Sequence, residues 1–161
     1  MAKKCPRLKF TVHKDRDGFE IEATRPGSKK TLGTIDVDTT HADHMDRPTP
    51  SDQARVTFVS VDASLRRCGL GTELYTRAMK LAQAKGLQLT SDSHRSTNSE
   101  GFWQKQLKKG RAVCVDKRRG HLVPGNDTPY TNEDTVDHWD CRRFQMKPGT
   151  TSLARLKRKK R

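Results

Sequence analysis

Apolar and polar residues alternate along residues 7–13 (RLKFTVH) and again along residues 19–23 (FEIEA), with the turn-forming stretch KDRDG between them. A period of two interrupted by turn residues is the pattern of a β-hairpin. A second turn cluster, TRPGSKK, leads into TLGTIDVD, a third strand in which Leu32, Ile35 and Val37 take inward or half-buried positions. Residues 39–53 hold two prolines and almost nothing apolar, and read as a loop. The β-branched run ARVTFVSVD, residues 54–62, follows as a central strand carried by Val56, Phe58 and their neighbours.

From Leu70 the period changes. Leu70, Leu74, Ala78, Leu81 and Ala82 recur at helical spacing, and Gly86 suits the position just past a helix end. Residues 87–92 (LQLTSD) give another strand, so the strand, helix and strand form a βαβ unit whose two strands are expected parallel and adjacent. A second helix is expected over 98–109, with Thr97 and Glu100 at capping-box spacing, Phe102, Trp103 and Leu107 as its apolar face, and Gly110 as its stop. Strands in RAVCVDKRR and HWDCRRFQMK flank the irregular stretch GHLVPGNDTPYTNED. The sum is an α+β chain with a mixed sheet: antiparallel strands first, then β-α-β-α-β. One domain over 1–148 and a basic, flexible tail over 149–161 are expected.

Composition adds a partner class. Net charge is +14, six of those charges fall in the last seven residues, and the rest of the chain carries about +8. Such a balance favours anionic partners. The tail residues Arg155, Lys157, Arg158, Lys159, Lys160 and Arg161 are either an arm for an acidic protein or nucleic acid, or a solvated end. Cys5, Cys68, Cys114 and Cys141 make no C-x-x-C pair, and no apolar leader follows the basic start. Free thiols in a reducing cytoplasm are therefore expected, and no window is apolar enough to span a membrane. Neither His41, Asp43, His44 and Asp46 nor His138 with Cys141 has a recognised metal-ligand spacing, so no metal is expected.

The chemistry concentrates at SLRRCGLGTELY, residues 64–75, where a strand turns into a helix. A helix start presents unpaired N–H groups and the positive end of a dipole, glycines let a ligand approach the backbone, and Arg66 and Arg67 add charge. The turn is either a phosphate cradle or simply tight. A Walker loop is excluded because no lysine precedes Thr72, and a dinucleotide fingerprint because several antiparallel strands come first.

RRCGLG and its flanks, over roughly residues 54–115, resemble the GNAT family of N-acetyltransferases, whose signature is Arg/Gln-x-x-Gly-x-Gly/Ala. The resemblance implies a mixed sheet whose fourth and fifth strands splay apart around acetyl-CoA. It implies that the backbone of Arg66, Arg67, Cys68, Gly69, Leu70 and Gly71, with Thr72, holds the pyrophosphate, and that Val59 to Val61 meet the pantetheine arm. A later family segment of Asn, a small residue and Tyr corresponds to Ser96, Ser99 and Trp103 here. An indole cannot serve as the acid that the family's tyrosine supplies. The two helices that the family places after its first strand are missing. SDSHRSTNSEGFWQKQLKKGRA also resembles a segment of small acetyltransferase-like proteins of tailed phages.

The resemblance therefore implies an acetyl-CoA-dependent N-acetyltransferase acting on a protein lysine, an N-terminus or a small amine. The alternative is a non-catalytic protein of the same fold that docks to a cellular or host macromolecule. Its location is expected to be cytoplasmic, in the host if the chain is viral. Asp62, Asp92 and His94, at the mouth of the splay, are candidate catalytic groups by position, each also readable as a capping or loop residue. Tyr75 is read as a surface aromatic. Cys68 is read as a loop thiol.

Overall fold

The computed structural model describes residues 5–39, 52–92, 95–117, 141–147 and 149–150. His94, most of the 39–53 loop, His138 and the charged part of the tail lie outside them. Among the described residues, seven strands form one mixed sheet in the order β1-β2-β3-β4-β5-β7-β6. The strands are β1 (Lys9–Asp15), β2 (Gly18–Thr24), β3 (Gly33–Asp38), β4 (Gln53–Val61), β5 (Gln88–Thr90), β6 (Ala112–Lys117) and β7 (Cys141–Met146); the helices are α1 (Leu70–Ala84) and α2 (Thr97–Lys108).

The alternation read from the sequence sets the faces. Phe19, Ile21 and Ala23 of β2 and Ile35 and Val37 of β3 are buried on one side, where the α1 stripe of Leu70, Leu74, Ala78, Met79 and Ala82 covers them. Glu20, Glu22, Thr34 and Asp36 occupy the other face. The β1–β2 hairpin closes directly, as KDRDG predicts, and among the described residues no helix lies between those strands.

Phe58 departs from expectation, being 52% exposed. Asp36 pairs with Phe58 but Val37 with Val56, so Thr57 is one residue too many on β4. This bulge flips the alternation, turning Phe58 to the helix-free face and Val59 and Val61 toward α1.

β4 and β5 are parallel, as the βαβ pattern requires, but among the described residues they pair only from Gln53–Arg55 to Gln88–Thr90. Beyond Thr90 the strands part, leaving the β5-side edge of β4 open from Val56 to Val61. On the far side of that gap, β7 bonds β5 at Thr90 and Gln145.

α2 begins differently from the capping-box expectation. Ser96 is its N-cap, accepting from the Ser99 N–H at 3.2 Å. Glu100 instead turns inward to Arg95, Nε to Oε1 2.7 Å, with both side chains buried. Arg95 also donates to Ser91 Oγ, to the Asp92 carbonyl and to the Cys141 carbonyl. One buried guanidinium thus ties the end of β5, the start of α2 and β7 together. Trp103 stacks on Phe144 of β7 with centroids 5.9 Å apart, which seats α2 on the sheet.

The expectation of free thiols is overturned: Cys5 is bonded to Cys68, and Cys114 to Cys141. Sequence spacing concealed both pairs because the partners are 63 and 27 residues apart and meet only in the fold. β6 and β7 are paired neighbours, which brings the second pair together. Among the described residues no helix is long and apolar enough to cross a membrane, and no group of metal-ligating side chains gathers.

Candidate active site

β4 ends at Val61, a 3₁₀ turn spans Ala63–Leu65, and α1 starts at Leu70. Leu65 and Leu70 are both buried, so the intervening Arg66–Gly69 segment is anchored at its two ends and stands out between them. Asp62 caps the turn by accepting from the N–H and hydroxyl of Ser64, contacts that hold its carboxyl below the usual carboxylate range. It lines no part of the cleft.

Two glycines in the loop have different reasons. Gly69, the N-cap of α1, has φ 78° and ψ 13°, a left-handed conformation that favours glycine. Gly71 has no such backbone. A Cβ there would meet only a Val61 methyl at 3.9 Å, an ordinary contact, so nothing in the protein demands glycine at 71. The open space lies where the first turn of α1 presents its unpaired N–H groups. That vacancy fits a phosphate group held against the backbone.

The loop forms one end of a cleft between β4, the start of α1 and α2, with a volume of about 1140 Å³. This is room for an extended ligand rather than a lone ion. Val59, Val61, Arg66, Arg67, Cys68, Gly69, Gly71, Thr72, Ser96 and Ser99 all line it. Leu70 does not: its side chain fills the core, packed so closely on Gly33 that a Cβ there would sit 2.8 Å from it. Trp103 is buried too, and reaches only a smaller inner recess of about 150 Å³ that runs into the gap between β4 and β5. Asp92 lines this recess together with Val56, Phe58 and Arg95.

Among the described residues, four cations face the outer cleft, Arg66, Arg67, Lys105 and Lys109, against a single carboxylate, Glu73. Glu73 is engaged by Arg77 at 2.7 Å, so the field in the cleft is positive. Cys68 is no reactive thiol, because its bond to Cys5 straps the chain start to the loop.

Tyr75 is the residue that sequence reasoning misplaced. It is 3% exposed and lines both the outer cleft and the inner recess. Its Oη lies 3.1 Å from Ser99 Oγ, its ring stacks on Phe102 at 3.8 Å, and Trp103 meets it edge-on. Burial pushes its hydroxyl above the ordinary phenol range. The α1 stripe is wider than its leucines and alanines suggest: Tyr75, next to Leu74, faces a second helix that the α1 periodicity cannot reveal.

Residues 29–108 match the model of the acetyltransferase (GNAT) family. No curated protein matches the chain. Among solved structures, the ribosomal-protein-S18-alanine N-acetyltransferase of Escherichia coli is similar with a TM-score of 0.49 and 15% identity, over 82% of this chain and 68% of that one. Tetrahymena GCN5 gives 0.45 and 19%, over 70% and 59%. A mutant AtaT toxin, bound to acetyl-CoA and the C-terminus of the antitoxin AtaR, gives 0.44 and 17%, over 68% and 64%. The chain thus spans less than two thirds of the length of the latter two.

Proposed function

Residues 29–108 belong to the acetyltransferase (GNAT) family, and from that premise we propose that the chain is an acetyl-CoA-dependent N-acetyltransferase. The observation that carries this reading is the open cleft where β4 and β5 part, with the Arg66–Gly71 loop at its entrance and the vacancy over Gly71 beside it.

When bound, acetyl-CoA supplies an acetyl group already activated as a thioester. The N–H groups at the start of α1, with Arg66 and Arg67, hold its diphosphate. The unpaired edge of β4 from Val56 to Val61 offers alternating N–H and C=O groups, which bond an extended amide-containing arm as a neighbouring strand would. N–H groups of the same edge are placed to hold the thioester oxygen as negative charge develops on it.

Transfer to an amine needs a proton acceptor for the nucleophile and a proton donor for the departing sulfur. Asp92 is the carboxylate in the inner recess, and it takes the first role. Tyr75 takes the second, because its hydroxyl stands where the outer cleft and the recess meet and Ser99 fixes its direction. The doubt raised by Trp103 is met from another helix. The acceptor is an amine on a protein or a small molecule. A chain of net charge +14 selects for amines in an acidic setting.

Isothermal titration with acetyl-CoA, followed by mass spectrometry of candidate amines for the gain of one acetyl group, tests the reading. Saturable binding with acetyl gain supports it; absence of binding at millimolar acetyl-CoA overturns it.

A further inference from the structure

The loop and helix start account for one end of the cleft, while the opposite wall carries charge that the diphosphate does not use. Asn98, Gly101, Lys105 and Lys109 of α2 and its C-cap recur every third or fourth residue, so they form one stripe along the helix, and all four line the cleft. Neither lysine has an ion-pair partner among the described residues. The acid of α2, Glu100, is buried against Arg95, and Glu73 across the cleft is held by Arg77. Two unpaired like charges one turn apart weaken a helix unless an anion joins them.

Gly101 adds an independent sign. Glycine in a helix interior is unfavourable, yet a Cβ at 101 would meet no atom within 4 Å. Packing therefore does not require it. The turn is left open on its cleft side.

Resting on the acetyl-CoA reading, we propose that this face of α2 binds the 3′-phosphate end of the coenzyme, with Lys105 and Lys109 as its cations. Coenzyme A carries its negative charge in two places, the diphosphate and the ribose 3′-phosphate. The cleft carries its positive charge in two clusters, Arg66 with Arg67 and Lys105 with Lys109. Gly101 leaves the passage between α1 and α2 clear for the nucleoside that joins them.

The test is titration of the full chain with CoA and with 3′-dephospho-CoA. The wild type is expected to prefer CoA by about tenfold, the scale of a charge-assisted phosphate contact at a wet surface. That preference shrinks as salt is raised. K105Q/K109Q removes the preference by weakening CoA alone. K108Q loses a charge from the same helix off the cleft, and keeps it. A double variant that retains the preference, or that weakens both coenzymes equally, overturns the inference. So does a wild type that binds the two alike. A wild type that binds neither overturns the acetyl-CoA reading itself, which separates the two failures.

Discussion

Tyr75 of α1 and Ser99 of α2 meet oxygen to oxygen at 3.1 Å, at the junction of the outer cleft and the inner recess. The contact places the hydroxyl by two helices at once, while Phe102 fixes the plane of the ring. Tyr75→Phe removes one oxygen and leaves the stack intact. Transfer from acetyl-CoA is expected to slow by about 10²–10⁴-fold, the usual worth of a positioned proton donor. Affinity for acetyl-CoA, measured by titration, should stay as it was. An unaltered rate would remove Tyr75 from the chemistry.

The pH profile gives a second check on the same group. Burial raises the phenol pKa, so the hydroxyl keeps its proton across the neutral range and is lost as an acid only above the ordinary value of about 10. The alkaline fall in kcat is therefore expected beyond that value. A fall near neutrality that vanishes in Tyr75→Phe would contradict the assignment.

Gly71→Val places a branched side chain over the first turn of α1, where the protein itself leaves room. Folding stability is expected to change by no more than about 1 kcal/mol, the scale of helix propensity. The rise in Tm that acetyl-CoA gives the wild type should disappear. A preserved rise in the variant would put the ligand elsewhere.

Glu100→Ala strands the Arg95 guanidinium in a site where burial already pulls its pKa down. A loss of about 3–5 kcal/mol in urea unfolding is expected, as for other broken buried pairs. Replacing both partners with methionine should recover much of that loss. If the single and double variants are equally unstable, the pair is not the cause.

On the helix-free face, burial and then the neighbouring Glu20 push the Asp36 carboxyl up. A carboxyl with a raised pKa contributes stability in its protonated form, fully present below about pH 4 and lost as pH rises through the folded value. Asp36→Asn should therefore match the wild type in acid and exceed it at pH 7, by less than about 1 kcal/mol because solvent reaches the site. Chemical unfolding at both pH values decides; lower stability of the variant at pH 7 would mean that the charge is favourable.

What the sequence disclosed follows from the range of its interactions. Period-two and period-three-to-four patterns are local, so Ile35, Val37, Leu74 and Ala82 were legible as core, and the stretch around Gly69 and Gly71 as a strand-to-helix turn. Phe58 was not, since a single extra residue at Thr57 reverses the faces without any compositional mark. Nor was Tyr75, whose surroundings come from α2 and lie 24 residues away. Glu100 kept its capping-box spacing but went to Arg95, because a buried guanidinium needs a charged partner more than a backbone N–H at an exposed helix end does. The cysteines failed for the same reason of distance.

The Cys5–Cys68 bond joins the chain start to the residue just before Gly69. A tethered loop has less freedom to lose when a coenzyme settles on it, so the oxidised chain should take acetyl-CoA more tightly than the dithiol form. Preparations made with and without a strong reductant are then two different binders with one sequence. Any dissociation constant measured for this protein carries the thiol state of the buffer as an unstated variable.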